Sequence, residues 1–221
     1  PVLEGAVRVL GGPTLWGGAK RGAERAFDAD GAGRRLLTLL REEIEQSKRP
    51  VEIHLVGYGA GSGFQSQVVR SMAATRVSPA RTLALLAPTL SVPEFRATVA
   101  PFTGFAVRRI ALFTLARDLE RADRCGPYRK SVLSLLRGAL EEEPGTEILG
   151  LEESLRRSPD VARLFGLAGV TGAPGEALFA GIAPGITDAT SRGGFEDDVA
   201  TMNSVLRRVL DQPLGGIIAY Q

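Results

Sequence analysis

The sequence predicts an α/β protein with a mostly parallel sheet and helices on both faces, forming a single domain over residues 1–221. Two observations support this. Short apolar, β-prone runs alternate with longer segments whose apolar residues recur at three and four positions. The stretch VEIHLVGYGAGSGF, Val51 to Phe64, also runs from an apolar strand through a glycine turn into a helix. No repeat, low-complexity tract or long linker breaks the alternation.

Taken in chain order, Val7–Leu10 reads as a short strand. Arg34–Gln46 reads as a helix, with Leu36, Leu37, Leu40 and Ile44 on one side and Arg41, Glu42 and Glu45 opposite. Val51–Val56 is a strand and Phe64–Ala74 a helix. Thr82–Leu86 is the next strand, stopped by Pro88. Ser91, Pro93 and Glu94 mark a helix start, with serine as cap and proline in the first turn. Val107–Leu115 is apolar and β-prone. Lys130–Glu142 and Glu152–Arg157 read as helices, and Glu147–Leu149 and Leu178–Ile182 as late strands. Asp197–Leu210 is a terminal helix with acids in its first turn and Val199, Met202, Val205, Leu206 and Val209 facing inward.

Composition narrows the function. The 221 residues suffice for one full core, and 44% hydrophobic with 24% charged residues is ordinary for a globular chain. A formal net charge of +2 is too balanced to suggest nucleic-acid binding. Cys125 is the only cysteine, so no internal disulfide framework exists, and a reducing cytoplasm is the expected location. No apolar run approaches the roughly 20 residues that span a bilayer. The N-terminal PVLEGAVRVLGG lacks a charged n-region followed by an apolar one, so no signal peptide is expected. No phosphate-binding loop of the G-x-x-x-x-G-K-[ST] type and no metal-ligand spacing occurs, so no cofactor is expected.

IHLVGYGAGSGF, Ile53 to Phe64, resembles the nucleophile elbow of the α/β-hydrolases, where serine occupies the middle of G-x-S-x-G. LLAPTLSVPEF (Leu85–Phe95) resembles the strand and loop after the elbow helix. IALFTLARDLERADRCGPYRKSVLSLL (Ile110–Leu136) resembles the strand that bears the triad acid. ATSRGGFEDDVATMNSVL (Ala189–Leu206) is similar to the loop that carries the catalytic histidine. The resemblance implies a hydrolase-like sheet shortened on its N-terminal side, because only 50 residues precede Val51. Such an edge would be capped, or paired with a protein partner or a second copy.

Carried over position by position, the resemblance places Gly59 at the nucleophile, Arg192 at the histidine and Arg117 at the acid. A one-residue slip would restore Asp118 as the acid. It implies a catalytically degenerate homologue acting as a binding, structural or assembly subunit. Gly57, Tyr58, Gly59, Ala60, Arg117 and Arg192 would then line a former active site. Two arginines beside a helix N-terminus would favour a small carboxylate or phosphate. The competing reading pairs each arginine with Asp118, Asp188 or Glu196.

Other readings stay open. The chain could be an active esterase-like enzyme with a non-standard site, or a Ser→Gly variant of one. Ser62, one turn beyond Gly59, is the fallback nucleophile, although it also suits a cap. His54 is the only imidazole in the chain and lies deep in its strand, where a core histidine bonded to a neighbour is expected. Cys125 lies among Arg121, Arg124 and Arg129, which would lower its pKa, but a plain loop thiol accounts for it equally. Gly57–Ser62 matches a dinucleotide loop only in part, since Ser62 stands at the sixth position and Ala80–Arg81 where an acid belongs.

Overall fold

The computed structural model describes residues 2–212. Four apolar segments form strands: β1 (Ile53–Tyr58), β2 (Ala80–Leu86), β3 (Val107–Leu115) and β4 (Gly175–Ala180). They pair in chain order, all parallel, with Tyr58 opposite Leu86, Leu86 opposite Phe113, and Phe113 opposite Leu178. The expected α/β class is the one observed.

A parallel sheet in chain order needs every crossover to move the same way. Right-handed crossovers then carry most of the connecting segments over one face, although Leu119 of the β3–β4 connection packs with the other. The side chains divide accordingly. Leu83 and Leu85 of β2 and Ile110 and Leu112 of β3 face α4 (Gly61–Thr75), α5 (Val92–Thr98), α8 (Glu152–Arg157) and α9 (Pro159–Leu164). Ala84, Leu86, Ala111, Phe113 and Leu115 face the opposite way, towards Phe195 and Val205 of the segment leading into and forming α10 (Val199–Val209). Alternate residues of each strand therefore serve two cores.

Two helices precede the sheet on the N-terminal side, α1 (Val2–Val9) and α2 (Gly12–Arg25), and α3 (Ala32–Gln46) leads into β1. The strand expected at Val7–Leu10 is thus helical. With four residues the alternation could not separate a strand from one helical turn, and α1 keeps Glu4 and Arg8 on one side, where both make contacts. Helix α2 was not foreseen, because its glycines and small residues blur the apolar period. It is held by Trp16, whose Nε1 donates to Glu141 Oε1 at 2.8 Å, and by Lys20, which pairs with the same carboxylate at 2.6 Å. In α3, Leu37 is buried but Leu36 is 64% exposed, so the inward stripe is narrower than the sequence suggested.

Two further expectations are corrected. Glu147–Leu149 forms no strand, only a single antiparallel bridge between Ile148 and Ser91. The helix expected at Lys130–Glu142 is a short α7 (Val132–Leu135) followed by a widened turn, Leu136–Leu140. The strand expected at Leu178–Ile182 starts three residues earlier, as β4, and ends at Ala180. Elsewhere the boundaries are closer. Ser91 caps α5, accepting from the Glu94 N–H while the Glu94 carboxylate accepts from the Ser91 N–H. Asp198 caps α10, accepting from the Thr201 N–H. Val199, placed inward by the sequence, is 53% exposed, and the buried face of α10 is Thr201, Ser204 and Val205. Helix α6 (Arg117–Ala122) follows β3.

β1 is an edge strand with nothing paired to its outer side among the described residues. The Gly59 N–H donates to Leu86 O. That sets which residues of β1 turn their backbone groups inward, and Val56, three positions earlier, turns outward. Gln65 meets it, its Nε2 donating to Val56 O at 3.0 Å. The Val56 side chain remains 42% exposed.

Candidate functional site

The carboxyl ends of parallel strands are where an α/β sheet presents its chemistry. Two residues there adopt left-handed backbone conformations. Gly59, just after β1, has φ 52°, and Ala87, just after β2, has φ 42°. Glycine takes this region freely, whereas alanine pays a steric penalty and seldom does. Gly57 is required by packing, not by its dihedral angles. A Cβ there would lie 2.9 Å from Gln65 Cγ and 3.2 Å from both Gly61 O and Ser62 Cα. Gly61 has open space where a Cβ would be.

Arg192 lies over this turn. Its Nη2 sits 3.5 Å from where a Gly59 Cβ would stand and donates to Ala87 O at 2.8 Å. Its backbone is fixed at both ends: the N–H donates to Asp123 Oδ2 at 3.2 Å, and the C=O accepts from the Tyr58 hydroxyl at 3.0 Å. Burial pushes the guanidinium pKa down, and the carboxylates of Glu120 and Asp123 oppose that shift. Burial raises the Tyr58 phenol, helped by the Glu196 carboxylate. The result is a half-buried cation clamped between the glycine turn after β1 and the strained Ala87 after β2, with two acids behind it.

Tyr58, Gly59, Asp123, Arg124, Cys125 and Arg192 line a hollow of about 310 Å³ over the turn. The structure therefore brings Tyr58, Gly59 and Arg192 together as the sequence suggested. Arg117 does not join them. It is the first residue of α6, exposed, with its N–H on Glu152 Oε2 at 2.8 Å, and its side chain lines a separate hollow with Arg121, Arg129 and Lys130. Arg124 takes its place as the second cation over Gly59. Ala60 faces another crevice, with Trp16, Phe64 and Leu90. Asp118 is exposed. The acid near Arg192 is instead Glu120, which is 8% exposed.

Ser62 is committed to structure. Its hydroxyl donates to Gly59 O at 2.7 Å and accepts from the Thr89 and Leu90 N–H groups, each at 3.2 Å, and the residue is fully buried. Those bonds tie the turn after β1 to the turn after β2. His54 lies on β1, with Nδ1 2.8 Å from Thr82 Oγ1 on β2, far along the strand from Gly59. Cys125 is exposed at the rim. Among the described residues no group of three His, Cys, Asp or Glu side chains could hold a metal ion, and no helix is long and apolar enough to cross a membrane.

Glu120, Asp123 and Ala87 were not singled out from the sequence, and Arg124 only as a neighbour of Cys125. Glu120 and Asp123 alternate with arginines, as on any solvated helix face, and only burial distinguishes them. Ala87 carries no sequence signal at all, because its strain arises from how β2 turns into Pro88.

No protein-family model, curated protein or solved structure matches this chain.

Proposed function

We propose that this chain is a catalytically silent relative of the α/β-hydrolases that serves as a binding or assembly subunit. The observation that carries this reading is the Arg192 guanidinium over Gly59. Serine chemistry needs a hydroxyl at that turn and a neutral base facing it. Here there is no side chain at the turn, and the facing group is a cation that cannot accept a proton. The strand order, the left-handed turn after β1, the α10 helix on the far face and the acid behind Arg192 all fit the parent arrangement. Neither remaining candidate replaces the missing pair. The Ser62 hydroxyl already makes three bonds, and His54 is held on Thr82.

The hollow over Gly59 suits a small carboxylate or phosphate, with Arg192 and Arg124 supplying charge. The open edge of β1 suits a protein partner or a second copy.

Intact-mass analysis after treatment with a fluorophosphonate probe tests the silent site. The expected result is no adduct. A stoichiometric adduct on one serine would reverse the reading. Anion binding is tested by titrating acetate and phosphate into the Arg124→Ala variant. Arg124 is exposed, so its loss should leave folding intact while weakening binding about tenfold. Unchanged affinity would remove the anion from the proposal.

A further inference from the structure

A crevice of about 340 Å³ opens between α2 and the first turn of α4. It lies at the carboxyl ends of β1 and β2, where a parallel sheet most often holds its ligands. Helix α2 contributes Trp16, Ala19, Lys20 and Ala23, which share one side at spacings of three and four. Gly63 and Phe64 come from α4, and Thr89 and Leu90 from the segment after β2. Apart from Trp16 and Phe64, the side chains that the two helices bring together here are mostly small. A Cβ at Gly22 or Gly63 would find no atom within 4 Å. The two large rings are fixed elsewhere and do not fill the gap. Trp16 donates its N–H to Glu141, and Phe64 packs on Phe27 with ring centroids 5.2 Å apart. Phe64 still leaves 43% of its surface exposed, and covering an apolar surface is favourable.

The polar side chains around the crevice already have partners. Lys20 pairs with Glu141 at 2.6 Å and with Glu94 at 3.1 Å. Glu94 Oε2 accepts from the Ser91 N–H and hydroxyl, and the Thr89 hydroxyl donates to Gly59 O at 3.2 Å. A ligand that carried a charge into this space would give up its water and gain no side chain of opposite charge that is not already paired. An uncharged ligand avoids that cost.

We infer that this crevice binds a small, uncharged aromatic molecule of one or two fused rings, lying against Trp16 and Phe64. The volume is at the low end of the range for small-molecule sites, which suits a ligand of that size. Aromatic rings gain from offset or edge-to-face contact beyond the area they bury. A saturated ring of similar size buries comparable area without that gain. The crevice shares no lining residue with the hollow over Gly59. It therefore stands or falls independently of the function proposed above.

Isothermal titration with indole, cyclohexanol and benzoate tests this. Indole should bind with a Kd of about 0.1 mM, and cyclohexanol and benzoate at least about tenfold more weakly. The Trp16 Nε1–H is the only indole N–H of the chain, so its resonance in nitrogen-labelled protein should move as indole is added. Gly22→Leu and Gly63→Leu each place a side chain in the open space, at helical positions where leucine is favoured over glycine. Both variants should fold and bind indole at least about tenfold more weakly. Arg124→Ala should leave indole binding unchanged. No binding of indole in the millimolar range would overturn the site. So would equal affinity for indole and cyclohexanol, benzoate binding as tightly as indole, or indole affinity unchanged in both leucine variants. Indole binding lost in Arg124→Ala but kept in the leucine variants would also overturn it, and would place the ligand over Gly59 instead.

Discussion

At the scale of single residues, Arg192 is both an obstacle to chemistry and a structural tie. Its Nη2 bonds Ala87 O, and its charge faces Glu120 and Asp123. Arg192→Ala would free the Ala87 carbonyl and remove the cation whose charge offsets the buried Glu120. The expected loss is about 1–3 kcal/mol, read as a lower urea midpoint. Gly59→Ser is a milder change. The new Cβ would meet only Arg192 Nη2, at ordinary contact distance, but φ 52° costs a side-chain-bearing residue on the order of 1–2 kcal/mol. That variant should fold and remain unreactive towards a fluorophosphonate while Arg192 faces the serine. Only the double variant Gly59→Ser, Arg192→His should form an adduct. Reaction of the single variant would show that some other group acts as base.

At the scale of elements, the turn from β1 into α4 makes unequal demands on its glycines. Gly57→Ala would drive a methyl group into the start of α4, with contacts at 2.9 and 3.2 Å, and should cost about 1–3 kcal/mol. Gly61→Ala meets open space and should be neutral or slightly stabilising. Thermal melts of the pair separate a packing requirement from a mere sequence pattern, since equal effects would contradict it.

Helix α1 buries none of its residues and depends on polar anchors. Lys130 and then Tyr128, hydrogen-bonded to Glu4, hold that carboxyl down at about 2. A depressed folded pKa stabilises above the ordinary carboxylate range and is lost as pH falls through it towards about 2. Lys130 is half exposed, so solvent screening limits the effect to roughly 1 kcal/mol. Glu4→Gln should therefore melt below wild type at neutral pH, with the gap closing as pH drops from about 4.5 to about 2. A gap that widened in acid would contradict this assignment.

At the scale of the molecule, the open side of β1 is the main unmet demand. Val51 and Val56 are 43% and 42% exposed, and Gln65 offers the strand only one hydrogen bond, leaving its own Oε1 buried without a donor. Edges of this kind invite pairing. Sedimentation of the wild-type chain at tens of micromolar should reveal self-association that Val56→Lys abolishes, because a charge on an edge strand opposes pairing. A wild-type chain that stays monomeric would leave a different protein as the partner for this edge.

The sequence by itself determined the α/β class, the position of each observed strand to within a few residues, though with two strands too many, and several of the helices. Local rules suffice there: short apolar, β-prone runs in β1–β3, three-to-four spacing in α3, and Ser91 with Glu94 at α5. Tyr58 and Gly59 follow from the strand and the turn after it, which neighbouring residues set, whereas the meeting of Arg192 with them, more than a hundred residues on, was implied only by the resemblance. The tertiary structure decided the rest. Helices α1 and α2 bury almost none of their own residues and are tied in place by Glu4, Trp16 and Lys20, whose partners lie more than a hundred residues away. Arg124, not Arg117, shares the hollow over Gly59, because which side of α6 and its following loop faces Gly59 depends on how the whole segment packs. Glu120 became a buried acid by the same packing. Burial is a property of the assembled chain, and a carboxylate among arginines reads the same in sequence whether water reaches it or not.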